Sequence, residues 1–230
     1  MRLQHVTVTV PGRTALVTGA SAFVASHLVP ALLDRGWEVR ATGRRPKAGR
    51  LPPSVPYRAV DLVADPLDDL LDGVTHLFHL AGASSSLASD EQMHRSNVVA
   101  TERLLAAPAP ALEHVLYMGS SSVYGEAVQL PLPVTEDVEP HPSRGYGKAK
   151  WEAEQVVWRH AGRVPAVVVR PVSIYGPGAI RLLASAILDA AIERFAGRDH
   201  LPVHAEPVEQ RLVHVADLVA ACIHLAERPE

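Results

Sequence analysis

The chain has 230 residues, 47% of them hydrophobic and 20% charged, which suits one compact domain with a single core and at most a small appended lobe. A formal net charge of -3 leaves no polycationic face for nucleic acid, and the arginine-rich stretch 44–50 is too short to supply one. One cysteine, Cys222, excludes an intrachain disulfide and a cysteine-rich metal site, and no stretch approaches the roughly 18 unbroken apolar residues of a membrane span, so a soluble cytoplasmic protein is the expectation.

In chain order, residues 1–11 alternate polar and apolar side chains and read as a strand or arm rather than a leader. A strand at 15–18 is followed by a helix at 22–35 that Gly36 stops, then by strands at 38–42, 57–60 and 76–80. A helix at 91–106, a strand at 114–118, a helix at 143–161 and a strand at 166–170 continue the alternation. Helices at 180–195 and 217–227 close the chain, with Asp217 read as the cap of the second. Residues 124–142 hold four prolines between a strand and a helix and read as a flap over a site, and 197–210 is similarly broken. Short β-rich runs alternating with helical periods predict an α/β fold, a Rossmann-type doubly wound parallel sheet over the single domain 1–230. Residues 171–212 are expected to contribute most of a small, incomplete substrate lobe.

Directly after the first strand come Gly19, Ser21, Ala22, Phe23 and Val24, a strand-turn-helix whose backbone amides are aimed where a pyrophosphate would sit. The bland reading is a turn that binds nothing. After the second strand Gly43 precedes Arg44 and Arg45, where an NAD-selective site usually places an acidic residue for the ribose 2'-hydroxyl. Arginines suit a 2'-phosphate, so NADP(H) is favoured and NAD(H) is the second option, beside the plain alternative of a solvated basic loop.

Tyr146 and Lys150 are four residues apart and share one helical face, and an ammonium beside a phenol favours phenolate, hence proton exchange with a substrate hydroxyl or carbonyl. About 26 residues earlier, the fifth strand ends in Ser120-Ser121-Ser122-Val123-Tyr124-Gly125, which places hydroxyls at the carboxyl end of a parallel strand, where such sheets bind ligands. With Asp61-Leu62, His79-Leu80-Ala81-Gly82, Asn97 to Thr101, Arg170 to Gly178 and Val213 to Ala221, these segments run collinear over nearly the whole chain. In this the sequence resembles the extended short-chain dehydrogenase/reductases, the NAD-dependent epimerase/dehydratase family.

The resemblance implies roles. Tyr146 would be the acid/base, Lys150 would bind the nicotinamide ribose and lower the Tyr146 pKa, and Ser120 would hydrogen-bond the reacting oxygen. Asp61 and Leu62 would flank the adenine, Leu80, Ala81 and Gly82 would line the cofactor, Asn97 would brace the backbone, and Pro171 to Ile174 would cover the nicotinamide. Ser121, Ser122, Ser173 and Arg211 are the substrate-side candidates; no metal is implied. His79 and Leu80 read equally well as strand core. The family's glycine pattern is matched at Gly19 but replaced by Ala22 and Ala25, and Ala22 is the substitution expected to weaken the dinucleotide.

Dehydratases of the family carry acidic residues where this chain has Ser121 and Ser122, which points away from elimination. The expected function is an NADP(H)-dependent oxidoreductase or epimerase acting on a hydroxyl or keto group of a sugar nucleotide or natural-product intermediate. Two alternatives are a scaffold repurposed for non-redox acid/base chemistry without nicotinamide, and a non-catalytic binding protein. Relatives continue well past the helix that ends this chain, so the substrate pocket is expected to be shortened. The resemblance also suggests a homodimer through the helices at 91–106 and 143–161.

Overall fold

The structure, a computed structural model, describes residues 12–46, 49–83, 88–125, 133–142, 145–179 and 211–228. Six strands, β1 (Thr14–Thr18), β2 (Glu38–Gly43), β3 (Tyr57–Ala59), β4 (His76–His79), β5 (His114–Met118) and β6 (Ala166–Val169), form one parallel sheet in the order β3-β2-β1-β4-β5-β6. All five residues of β5 and all four of β4 are buried, as central strands of a sheet covered on both faces must be.

The covering elements are α1 (Ala25–Asp34), α2 (Asp90–His94), α3 (Ala100–Ala106), α4 (Gly145–His160) and α5 (Val215–Ala226). One face packs α1 and α5 over Trp37 and Phe78, through Leu28, Leu32 and Ile223. The other packs α3 and α4 over Leu77 and Tyr117, through Leu104 and Val156, with Leu71 closing that core. The result is a doubly wound Rossmann-type α/β fold, and all six strands read from the sequence are present within a residue of their expected ends.

Four local departures have physical causes. Helix α1 begins at Ala25, three residues late, because residues 20–24 are spent on a turn closed by Ala22 N donating to Gly19 O at 2.8 Å. The helix read at 91–106 is interrupted by a π-helical turn, Arg95–Val99, which rotates Asn97 inward until it is wholly buried. Helix α5 starts at Val215 and is capped by His214, whose Nδ1 accepts from Ala216 N at 3.2 Å, so Asp217 lies in the first turn rather than at the cap. Two further strands, β7 (Ser173–Tyr175) and β8 (Leu212–His214), pair in parallel as a separate two-stranded sheet, each too short for a periodicity signal.

The arm at 1–11, the helix at 180–195 and the loop at 197–210 lie outside the described residues, as does 126–132 of the flap. Among the described residues no helix is long and apolar enough to cross a membrane, and no group of three or more His, Cys, Asp or Glu side chains is placed to hold a metal ion.

Candidate active site

The strand order reverses direction between β1 and β4, and the crevice at their carboxyl ends is where open α/β sheets take ligands. Gly19 leaves β1 with φ +67°, and a Cβ there would sit 2.8 Å from Ala81 N and 2.9 Å from the Leu80 carbonyl carbon, so the two crossover turns touch backbone to backbone. Ala22 is half-buried, and no described residue other than glycine has a positive φ, so an alanine fits this turn without strain. Ala25 is fully buried against the sheet. Of the three small positions, only Gly19 is conformationally obligatory. Gly19→Ala is therefore expected to cost about 2–4 kcal/mol, from a left-handed backbone plus a collision with main chain, and an unchanged urea midpoint would refute this.

Around this turn, Ser21 is exposed, Phe23 packs edge-on to His27 with centroids 5.2 Å apart, and Val24 is buried in the core. Beneath it runs a hydrogen-bond chain. Ala81 N donates to Thr18 Oγ1 at 3.1 Å and Thr101 Oγ1 donates to the Asn97 carbonyl at 2.5 Å. These two bonds orient the ring between them: Thr18 donates to His79 Nδ1 at 2.7 Å, and His79 Nε2 donates to Thr101 Oγ1 at 2.9 Å. His79 is wholly buried and neutral; burial first, and the Lys150 charge second, push it down to about 3. It belongs to the core and ties the β1 turn to the π-helical turn.

Tyr146 and Lys150 stand on successive turns of α4. A Cβ on Gly147 would collide with the Ser122 carbonyl, so α4 lies directly against the short 3-10 turn Ser121–Tyr124 that follows β5. That approach sets the Tyr146 phenol beside Ser120, whose Oγ donates to Ser122 Oγ at 3.1 Å. Lys150, 4% exposed, donates from Nζ to Met118 O at 2.8 Å and to Tyr117 Oη at 3.3 Å. Burial pushes its ammonium down to about 8, against the pull of Glu154.

The electrostatic balance differs from the sequence expectation. The ammonium was expected to favour phenolate, but its donors point into β5 and Nζ lies 5.9 Å from the Tyr146 ring centroid. Burial therefore dominates and raises the phenol above its ordinary range, with the neighbouring Ser120 hydroxyl pulling the other way.

The residues fit a dinucleotide ribose. An ammonium has three donors and two are used. Nζ also borders the space over Gly82, where a Cβ would lie 3.2 Å from it and would collide with Asn97 Oδ1. Asn97 Nδ2 donates to Ala83 O and Met93 O, whereas the buried Oδ1 has no partner. A spare donor and an orphaned acceptor facing one glycine suit a hydroxyl-bearing ligand, which accepts from the first and donates to the second.

The remaining candidates are dispersed around this centre. Arg44 and Arg45 are exposed just beyond β2, where Tyr57 Oη donates to Gly43 O at 3.0 Å. Asp61 is committed locally, its Oδ1 accepting from Val63 N at 2.8 Å, and the Leu62 and Leu80 side chains are buried in the two cores. Ala81 is half-buried beside Gly19. Pro171 O accepts from Ser121 N at 3.0 Å, which joins the β6–β7 link to the serine turn, and Ile174 packs onto the core. Ser173 pairs with Leu212, so exposed Arg211 lies beside it across the β7–β8 ribbon. Sequence reasoning missed Tyr117, Glu154 and Arg170. Glu154 carried a legible signal, since it continues the four-residue spacing of Tyr146 and Lys150.

A Rossmann sheet with a serine, a tyrosine and a lysine gathered where β5 meets α4 defines a short-chain dehydrogenase/reductase-type protein. The chain belongs to the NAD dependent epimerase/dehydratase family, whose model matches residues 15–230. It is 31% identical over 187 residues to 4-hydroxy-2-methyl-3-oxo-4-farnesyl-3,4-dihydroquinoline-1-oxide ketoreductase of Stigmatella aurantiaca, covering 78% of this chain and 55% of that one. It is also 31% identical to cinnamoyl-CoA reductase 1 of Petunia hybrida, over 96% of this chain and 71% of that one. Among solved structures, MoeE5 in complex with UDP-glucuronic acid and NAD superposes with a TM-score of 0.75 at 32% identity, over 94% of this chain and 73% of that one. The chain thus spans just over half the length of the Stigmatella enzyme.

Proposed function

We propose that the protein is an NADP(H)-dependent oxidoreductase or epimerase acting on a hydroxyl or keto group of a sugar nucleotide or a related natural-product intermediate. The observation that carries the reading is the Tyr146 phenol next to Ser120, one helical turn from a buried Lys150 that borders the space over Gly82. When bound, the dinucleotide supplies or removes hydride at the substrate carbon.

In this reading Ser120 holds the substrate oxygen, Tyr146 gives it a proton or takes one, and Lys150 and Asn97 grip the ribose. A phenol held above its ordinary range is protonated at neutral pH, which favours the reductive direction, where the substrate oxygen must receive a proton. Arg44 and Arg45, free of acidic neighbours in their own loop, favour a 2'-phosphate. Ser121 and Ser122 bear no carboxyl for elimination, and Ser173 with Arg211 offers a hydroxyl and a guanidinium to the distal part of the substrate.

NADPH fluorescence titration tests the reading. A dissociation constant in the micromolar range is expected, roughly -8 kcal/mol. The double variant Arg44→Ala/Arg45→Ala is expected to weaken NADPH about tenfold, some 1.4 kcal/mol, while sparing NADH. No binding of either dinucleotide overturns the function, and an unaltered NADPH affinity in the double variant overturns the NADP preference.

A further inference from the structure

One helical turn past Lys150, on the same face of α4, a carboxylate is sealed inside the protein: Glu154 is 0% exposed. Its Oε2 accepts from Arg170 Nε at 3.0 Å and from a terminal nitrogen of the same guanidinium at 2.8 Å. Its Oε1 has no partner and faces Gly119, where a Cβ would sit 2.6 Å away. Gly119 separates Met118, whose carbonyl holds Lys150, from Ser120. The other terminal nitrogen of Arg170 donates to Tyr124 Oη at 2.7 Å, and Tyr124 Oη donates to Thr135 O at 3.4 Å. Tyr124 is the last residue of the turn that Ser120 caps.

Packing alone gives no reason for a charge here. A buried ion pair recovers its desolvation cost poorly, and an apolar pair of similar volume commonly serves as well. The placement gives the reason: this carboxylate is coupled on one side to the lysine and on the other to the serine turn.

We propose that Glu154 is a positioning residue of the active site, keeping the Lys150 ammonium charged one turn away and, through Arg170 and Tyr124, holding the Ser120 turn against α4. The inference rests on the reading of Ser120, Tyr146 and Lys150 as the reacting set. Among the described residues, the titratable groups facing Lys150 are Tyr146 on its own helix, Tyr117 of β5 and neutral His79 of β4, with Arg170 beyond Glu154, and the carboxylate is the one negative charge among them. Its field opposes the burial that pushes the lysine down to about 8. Losing it leaves an ammonium in an apolar pocket with only a carbonyl and a phenol to hold its proton.

The chain has three lysines, Lys47, Lys148 and Lys150, so 13Cε-lysine NMR resolves the titration directly, with Lys150→Met assigning the signal. Lys150 is expected to titrate near 8 in the unaltered protein and about one pH unit lower in Glu154→Gln, a tenfold change in proton affinity, with Glu154→Asp partly restoring it. A midpoint moved by less than about 0.2 units overturns the proposal, because a merely structural pair would leave the lysine untouched. Should Glu154→Gln fail to fold, Glu154→Gln/Arg170→Gln removes both buried charges together and is held to a smaller downward shift, because the cation beyond the carboxylate opposed its field at the lysine. NADPH affinity at pH 8 is expected to fall several-fold in Glu154→Gln, and by much less at pH 6.5. A shifted lysine in a protein that binds no dinucleotide upholds the positioning of Lys150 and sinks the proposed function; an unshifted lysine in a protein that does bind sinks the inference alone.

Discussion

Tyr146→Phe is expected to lower turnover about 10²–10⁴-fold while leaving the fold and the NADPH affinity intact. The substitution removes one oxygen and keeps the half-buried ring. It takes the phenol oxygen away from Ser120, but Ser120 keeps Ser122 Oγ as a partner, so no buried group is stranded. Lys150 is held by Met118 O and Tyr117 rather than by this phenol, so the ribose contact proposed for it is expected to survive. A ketone substrate followed by NADPH absorbance gives the rate, and fluorescence titration gives the affinity. Turnover within about threefold of the unaltered enzyme would remove Tyr146 from the chemistry. The pH profile carries a second signature: with Lys150 titrating near 8, reductive turnover is expected to fall above that pH as the lysine loses its charge.

Stability is expected to fall steeply as the pH drops below 6.5. His79 titrates at its ordinary 6.5 in the unfolded chain and at about 3 when buried. Between those values the unfolded chain binds a proton that the native protein refuses, so stability fully present above 6.5 drains away toward pH 3. The slope is about 1.4 kcal/mol per pH unit, for a ceiling of roughly 5 kcal/mol, comparable with the whole stability of many domains. His76 and His114, also pushed down by burial, steepen the slope, whereas Glu154, pushed up by burial, works in the opposite sense. His79→Gln, compared with the unaltered protein, isolates the histidine. Urea midpoints at pH 7 and pH 5 should differ by much less in the variant; equal pH dependence in both would refute the assignment.

The strands were legible because buried parallel strands read as unbroken apolar runs, as in Val115-Leu116-Tyr117-Met118. The Tyr146–Lys150 pair was legible because helical geometry turns a four-residue spacing into adjacency. What escaped is what depends on neighbours distant in sequence. The π-helical turn at Arg95–Val99 reads locally as ordinary helix, and only the burial of Asn97 exposes it. The ionisation of Tyr146 is decided by the depth of its pocket and the direction of the Lys150 donors, neither of which a motif records. His79 reads as strand core or cofactor wall until Thr18 and Thr101 are seen on either side of it. The β7–β8 ribbon joins segments almost forty positions apart, with three residues in each strand.

That π-helical turn works as a register key. It carries one residue more than the α-helix would, and each residue rotates the helix by about 100°. Asn97, on one side of the surplus, faces Gly82; Thr101, on the other, meets His79. Deleting any one residue from 95–99 would relax the segment to plain α-helix and swing one of these side chains out of reach of its partner. A single-codon deletion there should therefore be far more damaging than point changes at the neighbouring exposed positions Glu91, His94 and Arg95.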